Sequence, residues 1–163
     1  MSVKITVQDA LSQVDLLFKP RVAALVSSAT AFQSGDGVDK AMKIHAEALL
    51  VKEGMDKLVP YATNIQRPVS AADGSKVINV VKELQRSWDT VLDTAVKKKG
   101  LLDALPVGNL AGLLAEDLKL NHQSMLTLSN ALLDAAPAEV LVEGKKLQKE
   151  LEDTMKKTLA VYQ

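Results

Sequence analysis

Apolar side chains recur at three- and four-residue steps over residues 71–99, and polar side chains fill the positions between them. This period predicts a long amphipathic helix with one apolar face. Three lysines and Gly100 follow the last apolar position, and cations next to a glycine are typical of a helix C-terminus. We therefore expect this helix to end at Lys99. An apolar face of this length requires several partner helices to cover it.

Four more segments have the same period and show no strand-like alternation: residues 6–32, 38–66, 109–135 and 137–162. The connections between them are short, which is typical of consecutive helices that pack as antiparallel neighbours. We predict an all-α, up-down bundle of five helices that forms a single domain over residues 1–163.

Local signals support these helix starts. Thr6 followed by Asp9, and Ser70 followed by Asp73, have the spacing of an N-terminal capping pair. Asp36 lies where it could cap the second helix in the same way.

Proline and glycine predict irregular helix geometry at defined positions. Pro20 lacks a backbone N–H, so we expect it to disturb the first helix near Leu16. Gly54 and Pro60 should bend the second helix.

Composition excludes several classes of protein. The 163 residues carry 20 basic and 20 acidic side chains, and 47% of them are hydrophobic, which excludes a disordered chain. The zero net charge gives no general attraction to nucleic acid or to an anionic membrane, so neither is expected as a partner. Without cysteine there is no disulfide and no thiolate ligand.

The chain shows no targeting or membrane-spanning segment. No apolar run reaches transmembrane length, and the first ten residues lack the core of a signal peptide. These features alone suggest a cytosolic protein. The alternative is a mature secreted domain whose signal has been replaced by a start methionine.

Catalytic motifs are absent from the sequence. There are two histidines, neither within a metal-binding spacing, and the acidic residues are expected on solvent faces. We predict a protein that is not an enzyme and that uses no metal or cofactor. We expect His45 to be half-buried and bonded to a neighbour, with contact to a ligand head group as the alternative, and His122 to be exposed.

Polar side chains interrupt the apolar face of the fourth helix. Asn121 points along the inward direction, while Ser124 and Ser129 lie at the two edges of the face. A buried polar group needs a partner. These groups can bond to the backbone or to one another, or they can hold the polar end of an amphiphile. Trp88 similarly fits core packing first and ligand contact second.

The chain resembles the fungal hydrophobic surface-binding protein A family, which includes the Mp1p-like ligand-binding domains of cell-wall galactomannoproteins. The resemblance lies in residues 9–32, 70–105 and 114–137 and in the terminal LAVYQ. It implies a long apolar central cavity that binds long-chain fatty acids such as arachidonic, oleic or palmitic acid. It also implies a secreted cell-wall antigen that sequesters host lipid. The alternative that the family offers is adsorption to hydrophobic surfaces without a stoichiometric ligand, and a third hypothesis is a plain cytosolic scaffold.

The resemblance also suggests the site. A serine on a late helix meets the fatty-acid carboxylate in that family, and Ser129 is the best match, with Ser124 second. The terminal helix offers only Thr154 and Thr158. The expected lining comprises three polar and twelve apolar residues: Ser129, Ser124, Asn121, Leu25, Met42, Leu49, Val81, Leu84, Trp88, Leu114, Met125, Leu128, Leu132, Leu151 and Met155. We expect a monomer or a weak homodimer.

Overall fold

Helices make up nearly all of the computed structural model, which describes residues 3–162. They are α1 (Val7–Gln13), a π-helical turn (Val14–Phe18), α2 (Lys19–Ala31), α3 (Val38–Thr63), α4 (Ala71–Asp103), α5 (Leu110–Ala135) and α6 (Ala138–Tyr162). Because α1, the π turn and α2 follow one another without a break, they form one long helical segment, and the prediction of five long helices is confirmed. Residues 3–162 contain no β-strand, only an isolated parallel bridge between Ile5 and Ile65.

The π turn lies where the sequence predicts a disturbance. Its five residues include Leu16, and the N–H of Lys19 bonds to the carbonyl five residues earlier. Pro20 follows in the first turn of α2, where a missing N–H is tolerated. The wider turn buries Phe18, while Leu16 stays 70% exposed.

The long helices close into a ring whose order differs from the chain order. Around the ring, α2 packs against α3, α3 against α5, α5 against α6, α6 against α4, and α4 against α2. The pairs α2/α3 and α5/α6 are antiparallel, as predicted. The pairs α3/α5, α4/α6 and α2/α4 are parallel, because the consecutive helices α3 and α4, and likewise α4 and α5, run antiparallel but do not form sides of the ring. The connections after α3 and α4 lead across the ends of the ring.

The ring has two ends, and its interior lies between them. The Pro137 end contains the starts of α1, α4 and α6 and the last turns of α3 and α5. There a Cβ added to Gly74 would lie 2.7 Å from Pro137 Cγ, so the glycine allows α4 to approach the start of α6. The Tyr162 end contains the last turns of α2, α4 and α6 and the first turns of α3 and α5.

The N-terminal caps follow the prediction in two of three places. Thr6 and Asp9 form a reciprocal capping box, and the Ser70 hydroxyl accepts the N–H of Asp73. Asp36 does not cap α3, whose N-cap is Gly37. The Asp36 carboxylate instead accepts a hydrogen bond from the Gln33 N–H at 2.9 Å, which stabilises the preceding turn.

The prediction that α4 ends at Lys99 is wrong. The helix continues through Gly100 to Asp103, and Leu102 is only 4% exposed. Burying a leucine side chain gains about 2 kcal/mol, whereas a glycine inside a helix costs about 1 kcal/mol. The helix therefore extends until Leu102 is packed. Lys98 bonds to the carbonyls of Thr30 and Phe32 at the end of α2.

None of the helices within residues 3–162 combines the length and the apolar character that crossing a bilayer requires.

Candidate ligand-binding interior

Apolar cavities lie in a row along the inside of the ring. The Pro137-end cavity, of about 80 Å³, lies between the starts of α4 and α6 and the last turns of α5. The central cavity, of about 100 Å³, lies between α2, α3, α4 and α5. A side cavity of about 90 Å³ lies beneath α1 and the π turn, and the Tyr162-end cavity, of about 60 Å³, lies at the opposite end.

Shared side chains join these cavities into one interior. Val81 and Leu132 line the Pro137-end, central and side cavities. Ser129 and Leu151 line both the Pro137-end and the central cavity. Trp88 lies between the central and the Tyr162-end cavity, because it lines both.

The single long cavity that the resemblance implies is therefore divided by side chains. Each compartment is smaller than the roughly 150 Å³ cavity known to take up benzene. A long alkyl chain fits only if the dividing side chains move apart. Met55 and Met125 line the central cavity, and methionine changes its rotamer at low cost.

Most of the predicted apolar residues face this interior. Nine of them line at least one cavity: Leu25, Val81, Leu84, Trp88, Leu114, Met125, Leu128, Leu132 and Leu151. Met155 is fully buried in the core but is not part of the lining of these cavities.

The inward direction predicted for Met42 and Leu49 is wrong. Their side chains are 40% and 37% exposed, while Ala41 and Ala48 are buried in their place. The small alanines allow α3 to lie close to α5, and a side-chain amide of α5 reaches the Ala48 carbonyl at 3.1 Å. Close contact between α3 and α5 therefore determines which face of α3 is buried, although this leaves the larger side chains of Met42 and Leu49 exposed.

Ser129 lies at the junction of the Pro137-end and central cavities. Its Oγ accepts from Gln148 Nε2 at 2.7 Å and donates to the carbonyl of Leu126 at 3.2 Å. The Gln148 amide also donates to Asn130 Oδ1 at 2.8 Å. Rotation of the Ser129 hydroxyl away from the helix carbonyl would present a donor to the interior. The sequence did not indicate Gln148, which lies on the facing helix.

Ser124 is buried but is not part of the cavity linings described above. Its Oγ donates to Asp56 Oδ1 at 2.6 Å, and Asp56 also accepts from Lys52. The Ser124 hydroxyl therefore bonds to the Asp56–Lys52 ion pair on α3 and not to a group in the interior.

Asn121 is 1% exposed and lines the Tyr162-end cavity. Its Nδ2 donates to the carbonyls of Ala48 and Asp117, at 3.1 and 2.9 Å. Its Oδ1 is buried and has no hydrogen-bond partner within residues 3–162. The amide therefore joins α3 to α5 and leaves an acceptor free.

A buried hydrogen bond between an imidazole and a carboxyl group lies beside Asn121. His45 Nδ1 lies 2.7 Å from Asp117 Oδ2, and the Asp117 side chain is 4% exposed. The hydrogen-bonded histidine confirms the prediction for His45, whereas the prediction that the acidic residues lie on solvent faces is wrong for Asp117. The expectation for His122 is also wrong, because it is half-buried and its Nε2 has no partner within residues 3–162.

Burial raises the pKa of the Asp117 carboxyl, and the hydrogen bond from His45 offsets this only in part. The native state therefore binds the proton of this group more tightly than the unfolded state does. Its ionisation lowers stability as the pH rises from 3.8 through the raised pKa. We expect Asp117→Asn to gain stability over the wild type at neutral pH, and the gain to shrink toward pH 4. Urea unfolding of both proteins at several pH values measures this difference, and a gain independent of pH would contradict it.

Within residues 3–162, no group of three or more His, Asp or Glu side chains is placed to hold a metal ion.

Comparison with known proteins gives the fold. No family model and no curated protein matches the sequence. Among solved structures, AfMp4p in complex with palmitic acid has a TM-score of 0.85 at 24% identity, covering 96% of this chain and 99% of that one. Ligand-binding domain 1 of the Penicillium marneffei MP1 protein, complexed with arachidonic acids, has a TM-score of 0.83 at 15% identity, covering 95% and 97%. Domain 2 of the same protein, complexed with multiple arachidonic acids, has a TM-score of 0.82 at 16% identity, covering 94% of each chain. The chain therefore has the fold of the Mp1p-type ligand-binding domains.

Proposed function

We propose that this domain binds long-chain fatty acids inside its ring of helices. The observation that carries the proposal is the row of apolar cavities with shared lining residues. The fold adds support, since proteins that share it have been crystallised with palmitic and arachidonic acids. Burial of a 16-carbon chain gains roughly 10 kcal/mol before ordering costs, at about 0.8 kcal/mol per CH₂.

We place the carboxylate of the fatty acid beside Ser129 and Gln148. Together they supply a hydroxyl and an amide N–H at the junction of two apolar cavities. A carboxylate there accepts from the Ser129 hydroxyl once it turns away from the Leu126 carbonyl, and from the Gln148 N–H that otherwise donates to Ser129, while the alkyl chain extends into the central cavity. Binding is the whole activity in this proposal, without catalysis. The domain acts as a monomer or weak homodimer, in a secreted fungal cell-wall protein that sequesters lipid.

The first test is native mass spectrometry of the freshly purified domain, followed by organic extraction. We expect discrete additional masses that correspond to fatty acids. A protein that is free of lipid, and stays free of it after incubation with micromolar oleate or arachidonate, would contradict the proposal.

Replacing Ser129 by Ala should weaken oleate binding by about tenfold, because one hydrogen bond to a charged group is lost. Thr127→Ala is the matched control. The Thr127 hydroxyl bonds to a carbonyl of the same helix but lies on the exposed face, so its removal should leave the affinity unchanged. Isothermal titration with oleate measures both variants. Equal affinities for the two would place the carboxylate elsewhere.

Adsorption to hydrophobic surfaces is the second candidate. Met42 and Leu49 lie one above the other on the outside of α3 and are well exposed. This function predicts retention on apolar beads that Met42→Lys with Leu49→Lys would abolish. Fatty-acid uptake in solution would be unaffected by the double substitution.

A further inference from the structure

Two side chains that line the Tyr162-end cavity each carry a polar atom without a partner. Trp88 Nε1, a hydrogen-bond donor, and Asn121 Oδ1, an acceptor, are buried without a hydrogen bond within residues 3–162. Both side chains line this cavity and are more than nine-tenths buried, at 8% and 1% exposure. A buried donor or acceptor that stays unpaired costs about 1–3 kcal/mol. A donor and an acceptor on two side chains that line one apolar cavity together favour a ligand that can satisfy both.

The orientation of the Asn121 amide is fixed by its neighbours. Both atoms within reach of Nδ2 are backbone carbonyl oxygens, which can only accept. A flipped amide would bring its own oxygen against these two oxygens. The free atom of Asn121 is therefore an acceptor, and it requires a ligand that donates a hydrogen.

Three other polar side chains around this cavity, Lys98, Asp117 and Tyr162, already have partners. Lys98 donates to two carbonyls at the end of α2, and Asp117 bonds to His45. Tyr162 donates to the Ala95 carbonyl at 2.7 Å, and burial raises its pKa to about 12, so its hydroxyl stays neutral. A carboxylate placed here would face the free Asn121 oxygen and the Asp117 side chain. A neutral hydroxyl group avoids this repulsion.

We propose that the Tyr162-end cavity is a second subsite, which binds a neutral hydroxyl group carried on a long alkyl chain. The hydroxyl donates to Asn121 Oδ1 and accepts from Trp88 Nε1–H. This rests on the proposed lipid binding and refines the ligand class from plain to hydroxylated lipids. Asn121 lies eight positions before Ser129 on α5, about 12 Å along the helix. A mid-chain hydroxyl of a fatty acid held at Ser129 could reach it, as could a separate long-chain alcohol.

The test compares stearic acid with 12-hydroxystearic acid, which differ by one hydroxyl. In a purely apolar interior the hydroxyl would weaken binding, because it loses its water without gaining a partner. We expect the hydroxy acid to bind about tenfold more tightly to the wild type. Trp88 is the sole tryptophan, so its fluorescence should shift to longer wavelength only when the hydroxyl accepts from its N–H.

Variants separate this subsite from the rest of the interior. Asn121→Leu should remove or reverse the preference for the hydroxy acid while stearic acid still binds. Trp88→Phe keeps an aromatic ring but loses the donor, and it should lower the preference even if Asn121→Leu fails to fold. Thr158→Val is the control, because Thr158 is buried and bonds only within α6, and it should retain the preference.

The outcomes separate the two proposals. If stearic acid binds and the hydroxyl brings neither tighter binding nor a fluorescence shift, the subsite is overturned and fatty-acid binding stands. If none of these lipids binds, both proposals fail. If the hydroxy acid is preferred, native mass spectrometry with 1-hexadecanol and stearic acid distinguishes a hydroxyl on a separate alcohol from a hydroxyl on the fatty acid itself. Where the hydroxy acid has been found to bind more tightly, simultaneous binding indicates a separate alcohol, and mutual displacement indicates one hydroxylated chain.

Discussion

Replacing Val81 by Trp should lower the affinity for oleate by more than tenfold. Val81 lines the Pro137-end, central and side cavities, so a larger side chain at this position protrudes into the space where they meet. Excluding only two methylenes of the ligand costs about 1.6 kcal/mol, which already exceeds a factor of ten. Isothermal titration and native mass spectrometry with oleate measure the loss.

Val142→Trp is the matched control for this substitution. Val142 is 82% exposed on α6, so the same chemical change there should leave oleate binding intact. Overpacking at Val81 costs roughly 1–3 kcal/mol of stability, which thermal unfolding of both variants would report. If Val81→Trp folds and still takes up oleate with wild-type affinity, the ligand lies outside the ring, and adsorption through the outer face of α3 becomes the better account.

The helices were predictable because their signals are local. A period of three to four residues and the capping pairs at Thr6 and Ser70 act within one or two helical turns, and the structure contains each of them. The end of α4 was not predictable in this way. The local signal at Gly100 favours termination, but burial of Leu102 against other helices outweighs it.

The sequence predicts individual side chains of the site, but it does not predict their hydrogen-bond partners. The apolar period places Asn121 and Ser129 on the inward side of α5, and both line cavities. Their partners lie on other helices: Asn121 bonds to Ala48, 73 residues away, and Ser129 bonds to Gln148, 19 residues away. These contacts depend on the ring order α2–α3–α5–α6–α4, which hydropathy does not encode.

The same limitation explains the error in α3. Hydropathy ranks Met42 and Leu49 above Ala41 and Ala48 as core residues, because it counts apolar surface and not the distance between helices. In the structure the alanines face α5, and the asparagine amide that bridges the two helices requires their close approach. A small side chain at a helix contact is therefore as informative as a large one, once the partner helix is known.

Met155→Ala should lower the free energy of unfolding by about 2–5 kcal/mol, the largest stability effect expected here. Met155 is completely buried, and truncation removes its apolar contacts and leaves a void. For a domain of this size the loss corresponds to a fall in Tm of roughly 5–15 °C.

Met42→Ala is the matched control, because it makes the same chemical change at a position that the sequence also assigned to an inward face. Met42 is 40% exposed, so its truncation should change the unfolding free energy by no more than about 0.5 kcal/mol. Urea unfolding of both variants tests the register of α3 and the packing of α6 at once. Equal large losses would show that Met42 is a core residue and that α3 has the register that hydropathy predicts. Equal small losses would mean that α6 does not pack into the ring at Met155, and the cavities beside Leu151 would then be open to solvent.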